Sequence, residues 1–312
     1  MNAPQPGRCP ACDSSSINDS PLIGKDMTEN NDGEFAVYSC AECGSGITSP
    51  YVATENLGSL YEGMYDGYAD PALPPGLGWT LEVYHRAGAA IYQADTPANS
   101  LDGSSGDLLE IGCGDGRVGE SFIARGWRAH AIEPSPLAVE AARGRGIDVH
   151  HGTLDAYDDD GRRFDAILFR HSLEHVVEPR DDLAKVSGLL KPGGKLLVEV
   201  PNYGSWQVKR FKGLWYGLSL PLHRTHFTER GLRAAVTSAG FAIEKVNTGT
   251  CPASLPACVQ YRLFGRNVLH RPGAAGVLLW RGAQLLTFPL SWAVDKLMGG
   301  GDVLRLVAVK PA

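Results

Sequence analysis

The sequence of 312 residues lacks an excess of positive charge, because its 29 lysine and arginine residues are outnumbered by 35 aspartate and glutamate residues. A net charge of −6 gives no general attraction to nucleic-acid phosphates, so we do not expect DNA or RNA as a partner. The N-terminal residues MNAPQPG also lack the apolar core of a secretory signal. The resulting expectation is a cytoplasmic protein.

Long hydrophobic runs are scarce as well, which argues against a membrane span. A spanning helix needs ~20 mainly apolar residues, and the apolar stretch at residues 276–297 is interrupted by Arg281, Gln284 and Pro289. We expect residues 251–301 to form an apolar helical insertion. It has three interpretations: an apolar lid, a dimer surface, or a helix lying on a membrane surface. The last would suit a lipid-linked acceptor and a membrane-peripheral location.

Cysteine is sparse, with seven residues, but four of them form two Cys-x-x-Cys pairs. The pairs are Cys9 with Cys12 and Cys40 with Cys43. In a reducing compartment this spacing indicates metal binding before disulfides, since two knuckles supply the four thiolates of a tetrahedral zinc site. We expect a structural zinc ribbon over residues 1–50. The alternative is a redox pair or a chance grouping of thiols.

What the sequence does contain is a strand followed by alternating glycines at residues 108–116, LLEIGCGDG. Residues 117–126 then have apolar side chains at helical spacing and end on a glycine. Gly112, Gly114 and Gly116 allow a tight turn with no Cβ in the way of a ligand. The helix that follows offers free N–H groups at its start. Strand, turn and helix make one half of a parallel-sheet nucleotide-binding unit.

The next strand, residues 128–133, ends in Glu133, where an acid suits the two hydroxyls of a ribose. Two features disfavour NAD. The glycines are spaced Gly-x-Gly-x-Gly, and Glu110, just before them, would repel a pyrophosphate. A carboxylate there suits the ammonium group of S-adenosylmethionine (SAM). The stretch resembles motif I of class I SAM-dependent methyltransferases, in which the acid matched by Glu133 binds the ribose.

This resemblance implies an α/β fold built on a Rossmann-like seven-stranded methyltransferase sheet whose last strand is antiparallel. Strand and helix patterns alternate from residue 108. Residues 164–202 resemble the family's fourth strand, Leu-Lys-Pro-Gly-Gly turn and fifth strand. Two later strands, over residues 241–246 and 303–309, would complete the sheet.

The expected domain order places a second helical segment between the ribbon and the sheet. Helical periodicity at residues 54–68 puts three tyrosines on one face, which fits either packing on the main domain or a lid over the site. A further helix is expected near residues 80–93. The domains are a zinc ribbon at 1–50, a helical lid or linker at 51–106, a SAM-binding Rossmann-like domain at 107–250, the apolar insertion at 251–301 and the final strand at 302–312.

The resemblance also implies a set of cofactor contacts. In these methyltransferases the segment after the third strand lines the adenine, and Cys113 inside the glycine turn should lie beside the cofactor. The candidate cofactor-binding residues are Glu110, Gly112, Cys113, Gly114, Gly116, Glu133, Pro134, Thr153, Leu154 and Arg170.

Ionisable residues that could act on a methyl acceptor follow the fourth strand. His171, Glu174 and His175 come where strand ends face the ligand crevice. A histidine near its ordinary pKa could take the proton of the acceptor, and His175 is the first candidate. In this superfamily the histidine after the glutamate is sometimes a base and sometimes only caps the next helix.

A second histidine pair lies in residues 218–228, which resemble a family element written Pro-Arg-His-x-x-His-Phe-Thr. Here Leu222 stands where arginine is usual, and the histidines are His223 and His226. They are expected near the acceptor pocket, either in catalysis or as hydrogen-bonded residues that shape it.

A catalytic metal is a further alternative for these histidines. Some RNA and quinone methyltransferases of the superfamily use Glu-x-x-Glu-His plus a distant histidine. The corresponding set here would be His171, Glu174, His175 and His226, with His171 in place of the first glutamate.

The sequence as a whole resembles bacterial methyltransferases that combine a zinc ribbon with this fold and act on sugars, polysaccharides or natural products. The predicted function is SAM-dependent methylation of a small molecule, a sugar or a lipid-linked or natural-product intermediate, with histidine-assisted deprotonation. The alternatives are a non-catalytic SAM-binding or zinc-ribbon interaction protein and an NAD-dependent sugar-modifying enzyme. The pattern does not set an oligomeric state.

Overall fold

A computed structural model describes residues 5–27, 33–50, 96–101, 103–269 and 274–312 of the chain. The helices expected near residues 54–68 and 80–93, and with them the lid interpretation, lie outside the described residues. Three short strands open the chain: β1 (Leu22–Lys25), β2 (Glu34–Ser39) and β3 (Gly46–Ser49).

The elements of the main sheet and its helices alternate, as the sequence predicts. In chain order they are β4 (Asp107–Ile111), α1 (Arg117–Ile123), β5 (Arg128–Glu133), α2 (Pro136–Gly144), β6 (Asp148–His151), β7 (Phe164–Arg170), α3 (Pro179–Leu189), β8 (Leu190–Pro201), α4 (Trp206–Phe211), β9 (Thr225–His226), α5 (Glu229–Ser238), β10 (Ala242–Gly249), α6 (Ser254–Phe264), α7 (Ala274–Leu297) and β11 (Val303–Val309).

Seven of these strands form one sheet in the order β10-β11-β8-β7-β4-β5-β6. The strands from β4 to β8 pair in parallel, whereas β11 is antiparallel to both β8 and β10. The predicted seven-stranded sheet with an antiparallel last strand is therefore confirmed. The carboxyl ends of β4, β5, β7 and β8 meet at one edge, where ligands bind in open α/β sheets.

The central strands read as continuous apolar runs because helices cover both faces of the sheet. Leu109 and Ile167 pack into one cluster, whereas Leu108 and Leu168, one residue away on each strand, pack into the opposite one. This alternation follows from the two-residue period of a strand.

The N-terminal strands form a second sheet that the main chain completes. Its order is β1-β2-β3-β9, and β9 reaches it from the segment between α4 and α5. Gly46 pairs with His226, and Ile47 with Thr225. At the start of α5 the two parts approach so closely that a Cβ on Gly231 would overlap the Ser45 hydroxyl. The cysteine-rich segment is thus bound to the segment that carries the second histidine pair.

Helices α6 and α7 occupy the segment between β10 and β11. They pack on each other through Ala257, Tyr261 and Trp280. None of the helices within the described ranges combines the length and the apolar character needed to cross a membrane.

Candidate functional site

The glycine turn after β4 has the backbone geometry that the sequence predicts. Gly112, Gly114 and Gly116 have φ angles of 73°, 54° and 80°, in the left-handed region that glycine adopts without strain. A Cβ on Gly112 would lie 2.8 Å from the Cβ of Ser172, and one on Gly116 would lie 2.6 Å from Ile147 Cδ1. A Cβ on Gly114 would meet no described atom within 4 Å. The middle of the turn therefore faces open space that a ligand could fill.

Two buried carboxylates flank this opening. Glu110 is 3% exposed, and its Oε2 has no hydrogen-bond partner among the described residues. Burial raises the pKa of Glu110 to about 8, with Arg170 acting in the opposite direction. Glu133 accepts hydrogen bonds from the N–H groups of Gly114 and Ser135, each at 2.9 Å. An orphaned carboxylate oxygen and a rigidly held second carboxylate fit the ammonium and the ribose of SAM.

The remaining predicted cofactor residues differ in what their side chains can offer. Cys113 is buried beside this turn, and burial raises the pKa of its thiol, so it stays protonated and unreactive. The carbonyl oxygen of Pro134 lies 3.2 Å from His151 Nε2. Thr153 is exposed, whereas the Leu154 side chain belongs to the main core.

A cluster of histidines and carboxylates lies at the same edge of the sheet. His171 has a left-handed φ of 53°, and its N–H donates to the carbonyl oxygen of Glu199 at 2.8 Å. Its Nδ1 is 3.5 Å from Glu174 Oε1, and its Nε2 is 3.5 Å from Glu199 Oε1. Burial opposes a charge on this ring, but the two carboxylates outweigh it and raise the pKa of His171 to about 9. His171 is therefore a cation held between two acids at neutral pH.

His175 and His223 are in the opposite protonation state. Burial lowers the pKa of both rings, in His223 to about 3. Nδ1 of His175 lies 3.2 Å from the carbonyl oxygen of Leu222, and Nδ1 of His223 lies 2.9 Å from that of Gly217. Because a carbonyl oxygen only accepts, both protons belong on Nδ1, and Nε2 of each ring has a lone pair. The rings are 4.6 Å apart between centroids.

His226 is set further back. Its ring is 2% exposed, and its Nε2 is 2.8 Å from the Thr48 hydroxyl. That hydroxyl has one proton, which it donates to the carbonyl oxygen of His223 at 2.6 Å, so it accepts from His226. Burial lowers the pKa of His226 to about 3, and His223 adds to the effect. The segment that contains His223 and His226 is thus hydrogen-bonded to β3 through Thr48.

Sequence reasoning missed Glu199 and Thr48. Glu199 is 1% exposed, and its Oε2 accepts from Arg305 Nε at 2.8 Å, while Arg170 Nε lies 3.4 Å from its Oε1. An acid inside the apolar run LLVEV was a signal that could have singled it out. Thr48 had no such signal, because its role depends on the pairing of β3 with a distant two-residue strand.

Two groups of side chains in the described part of the chain have metal-ligand geometry. The first comprises the four predicted cysteines, whose sulfur atoms all lie within 4.8 Å of one another, with Cys9 to Cys43 and Cys12 to Cys40 each at 3.6 Å. Tetrahedral zinc with bonds of ~2.3 Å requires such spacings. Both knuckles have matching backbone hydrogen bonds: Asp13 and Gly44 donate to the first cysteine of their own pair.

The second group is Glu174, His175 and His223, with ligand atoms also within 4.8 Å of one another. Both oxygens of Glu174 are buried and accept no hydrogen bond from a described residue, although His171 Nδ1 lies 3.5 Å from Oε1. The two histidines have the Nδ1–carbonyl contacts that orient metal ligands. His226, part of the set considered from the sequence, is instead paired with Thr48.

The sequence profile of the methyltransferase-domain family matches residues 84–246, which is more than half of the chain. The chain belongs to this family. In this methyltransferase domain the match includes the glycine turn and the cluster after β7. It ends before α6 and α7.

Relatives of known role match a shorter part. The ubiquinone biosynthesis O-methyltransferases of Methylocella silvestris and Xanthomonas axonopodis pv. citri are 33% and 32% identical over 101 and 109 residues. These alignments cover 30% and 33% of the methyltransferase chain and 40% and 46% of the relatives, so the shared part is less than half of either relative.

Solved structures support the fold. A SAM-dependent methyltransferase from Thermotoga maritima superposes with a TM-score of 0.51 at 19% identity, covering 81% of this chain and 99% of that one. The 1,6-didemethyltoxoflavin-N1-methyltransferase of Burkholderia thailandensis, solved with S-adenosylhomocysteine, gives a TM-score of 0.50 at 18% identity and covers 92% and 100%.

Proposed function

We propose that the protein transfers a methyl group from SAM to a hydroxyl of a small-molecule acceptor. The observation that carries the proposal is the orphaned Oε2 of Glu110 beside the open turn at Gly114, with Glu133 fixed across from it. A pyrophosphate would add negative charge beside two acids. An ammonium group would satisfy the buried oxygen and favour the ionised form of Glu110, whose pKa burial raises to about 8. The names of the curated relatives favour oxygen as the methylated atom.

We assign deprotonation of the methyl acceptor to His175. SAM supplies an electrophilic methyl group, so the protein has to position the acceptor and remove its proton. The Leu222 carbonyl holds the proton on Nδ1 of His175 and leaves Nε2 to accept one. His175 is also half-buried, unlike His226, so a ligand can reach it. A general base of this kind contributes ~10²–10⁴-fold to the rate.

The other members of the cluster orient the site. A cationic His171 keeps Glu174 and Glu199 ionised: burial favours their neutral forms, but the histidine lowers the pKa of both carboxyls. His223 and His226 connect this cluster to β3 and β9. Arg170, a predicted cofactor contact, is assigned here to the Glu199 ion pair.

A metal ion is the second candidate for the same residues. Two features favour it: the buried oxygens of Glu174 accept no hydrogen bond from a described residue, and His175 and His223 have lone pairs on Nε2. Elemental analysis of a Cys40→Ser variant separates the two sites, because this change removes a ribbon ligand only. Stoichiometric metal that persists there and disappears on Glu174→Gln would assign Glu174 a metal-binding role. Absence of metal would leave His175 as a simple base.

The four cysteines are assigned a structural zinc ion. Four thiolates leave no open coordination position, so the ion would hold the ribbon together rather than take part in the reaction. The domain order proposed from the sequence is kept, with the qualification that β9 joins the ribbon to the main domain.

Calorimetry with SAM, S-adenosylhomocysteine and NAD tests the cofactor assignment. We expect binding of the first two, weakened by Glu133→Gln, and none of NAD. Binding of NAD alone would replace the proposal with a dehydrogenase or epimerase. Mass spectrometry of reactions with phenolic, sugar and lipid-linked acceptors then identifies the substrate class. SAM binding without transfer to any acceptor would favour the non-catalytic alternative.

A further inference from the structure

Helix α7 has its polar and apolar faces reversed relative to a helix that packs on a water-soluble domain. Gln284, Ser291 and Asp295 lie on one face of the helix and are at most 4% exposed. The opposite face carries four leucines that are 61–85% exposed: Leu279, Leu286, Leu290 and Leu297. Trp280 packs inward on α6, but the other buried side chains named here are polar and the exposed stripe is apolar. This arrangement indicates that the outer face meets a medium other than water.

Asp295, one of the inward polar residues, makes specific hydrogen bonds to the rest of the domain. Both oxygens of Asp295 accept hydrogen bonds, from Trp206 Nε1 at 2.6 Å and from the Thr250 hydroxyl at 2.5 Å. Burial raises the pKa of Asp295, and these two donors act against that shift. The orientation of α7 is therefore fixed by specific bonds, and the helix cannot turn its leucines inward without losing them.

The charge of this region differs in sign from the rest of the chain. Residues 251–301 contain five lysine or arginine residues and a single acid, the buried Asp295, whereas the other residues contain 24 basic and 34 acidic ones. Arg262 on α6, Arg266 just after it and Lys296 on α7 are exposed. Lys296 also lies 6.0 Å from the ring centroid of Trp292, which is half exposed. Exposed leucines, a half-exposed tryptophan and exposed cations within one helix pair suit an anionic lipid interface.

The position of the helix pair connects this surface to the candidate site. Helix α6 follows β10 and α7 precedes β11, and Gly249 and Val303 pair where these strands meet. Val303 in turn pairs with Pro201 at the carboxyl end of β8. The helices thus leave the sheet at the edge that carries Glu199 and His171.

We propose that α6 and α7 dock the protein on the surface of an anionic membrane, with the Leu279–Leu297 stripe of α7 lying in the lipid interface. A second copy of the chain is the less favoured occupant, because the excess of exposed cations would be brought face to face in a symmetric dimer. The inference does not depend on methyl transfer, since lipid binding requires neither SAM nor acceptor.

Co-sedimentation with vesicles tests the proposal. We expect the 312-residue protein to bind vesicles of phosphatidylcholine mixed with phosphatidylglycerol, and to bind pure phosphatidylcholine at least several-fold more weakly. A Leu286→Gln, Leu290→Gln double variant should lose about tenfold or more in partitioning, because two exposed leucines no longer enter the interface. Leu137→Gln is the matched control, since Leu137 is 54% exposed on α2, and it should bind as the parent protein does.

Two results would overturn the proposal. One is vesicle binding that is absent or that the double variant retains in full. The other is a concentration-dependent dimer in sedimentation velocity that the double variant dissociates, which would assign the stripe to a second copy. Circular dichroism of the three proteins shows whether they share the same fold, and SAM calorimetry shows separately whether the cofactor site is intact.

Discussion

At the scale of single residues, His171 and His175 illustrate how position decides chemistry. They are four residues apart, yet His171 lies between two carboxylates and His175 against a backbone carbonyl. The carboxylates raise the pKa of His171 to about 9, and burial lowers that of His175. One ring is a cation and the other a neutral acceptor at the same pH.

Replacing each histidine by glutamine should therefore have different effects. His175→Gln should lower kcat by ~10²–10⁴-fold with SAM affinity nearly unchanged, and the loss should shrink at high pH if the acceptor ionises by itself. His171→Gln should lower the thermal midpoint. Because the folded pKa of His171 is above its ordinary value, this stabilisation is complete below pH 6.5 and is lost as the pH rises through about 9. Steady-state kinetics and melting curves across this range measure both.

The result that would contradict the assignment is a His175→Gln enzyme with near-normal kcat. Catalysis would then depend on positioning alone. A His171→Gln variant whose stability loss is the same at low and high pH would contradict the ion-pair account.

The residue scale is also where sequence reasoning reached its limit. Glu110, Glu133 and the glycines could be assigned because strand, turn and helix constrain each other within one short stretch. Glu199 and Thr48 could not, since their importance comes from contacts with residues far away in the chain. Leu154 shows a further limit: its position after β6 is as expected, but the side chain turns into the core.

At the scale of elements, β9 is the shortest strand and has the largest consequence for the site. Two residues, Thr225 and His226, pair with β3 and extend the N-terminal sheet. No periodicity can reveal a strand of two residues, so the sequence indicated neither β9 nor its partner. The Thr48 hydroxyl then bonds to both histidines of this segment.

Thr48→Val removes that hydroxyl while keeping the shape of the side chain. We expect kcat to fall by about tenfold or more, because the buried His226 Nε2–H and the His223 carbonyl lose their shared partner and the loop can shift. SAM affinity should change little, since the glycine turn is on other strands. Thr48→Ser is the matched control and should retain most of the activity. Equal activity of the two variants would show that β3 does not position the histidines.

At the scale of the whole molecule, the main sheet was predictable, whereas its union with the ribbon was not. The central strands follow from apolar runs and helical stripes that repeat along the chain. The ribbon shares a core with this sheet: Cys9, Cys40 and Cys43 belong to the same buried cluster as Phe227 and Leu232. Separate sequence motifs gave no sign of that shared core, because the residues that form it are distant in the chain: Cys9, Cys40 and Cys43 on one side, Phe227 and Leu232 on the other.

A shared core predicts that removing zinc destabilises the entire protein and not the ribbon alone. Cys40→Ser, or treatment with a strong chelator under reducing conditions, should lower the midpoint of a single cooperative transition by ~10 °C or more. The protein loses several kcal/mol of zinc-binding free energy. Each kcal/mol of lost stability lowers the thermal midpoint by ~2–4 °C in proteins of this size. Cys251→Ser is the control outside the ribbon and should leave both the zinc content and most of the stability unchanged. Differential scanning calorimetry with elemental analysis measures both quantities. If the midpoint of the main transition does not change after zinc is removed, the ribbon folds as a separate unit. If the parent protein contains no zinc, the assignment of zinc to the four cysteines is wrong.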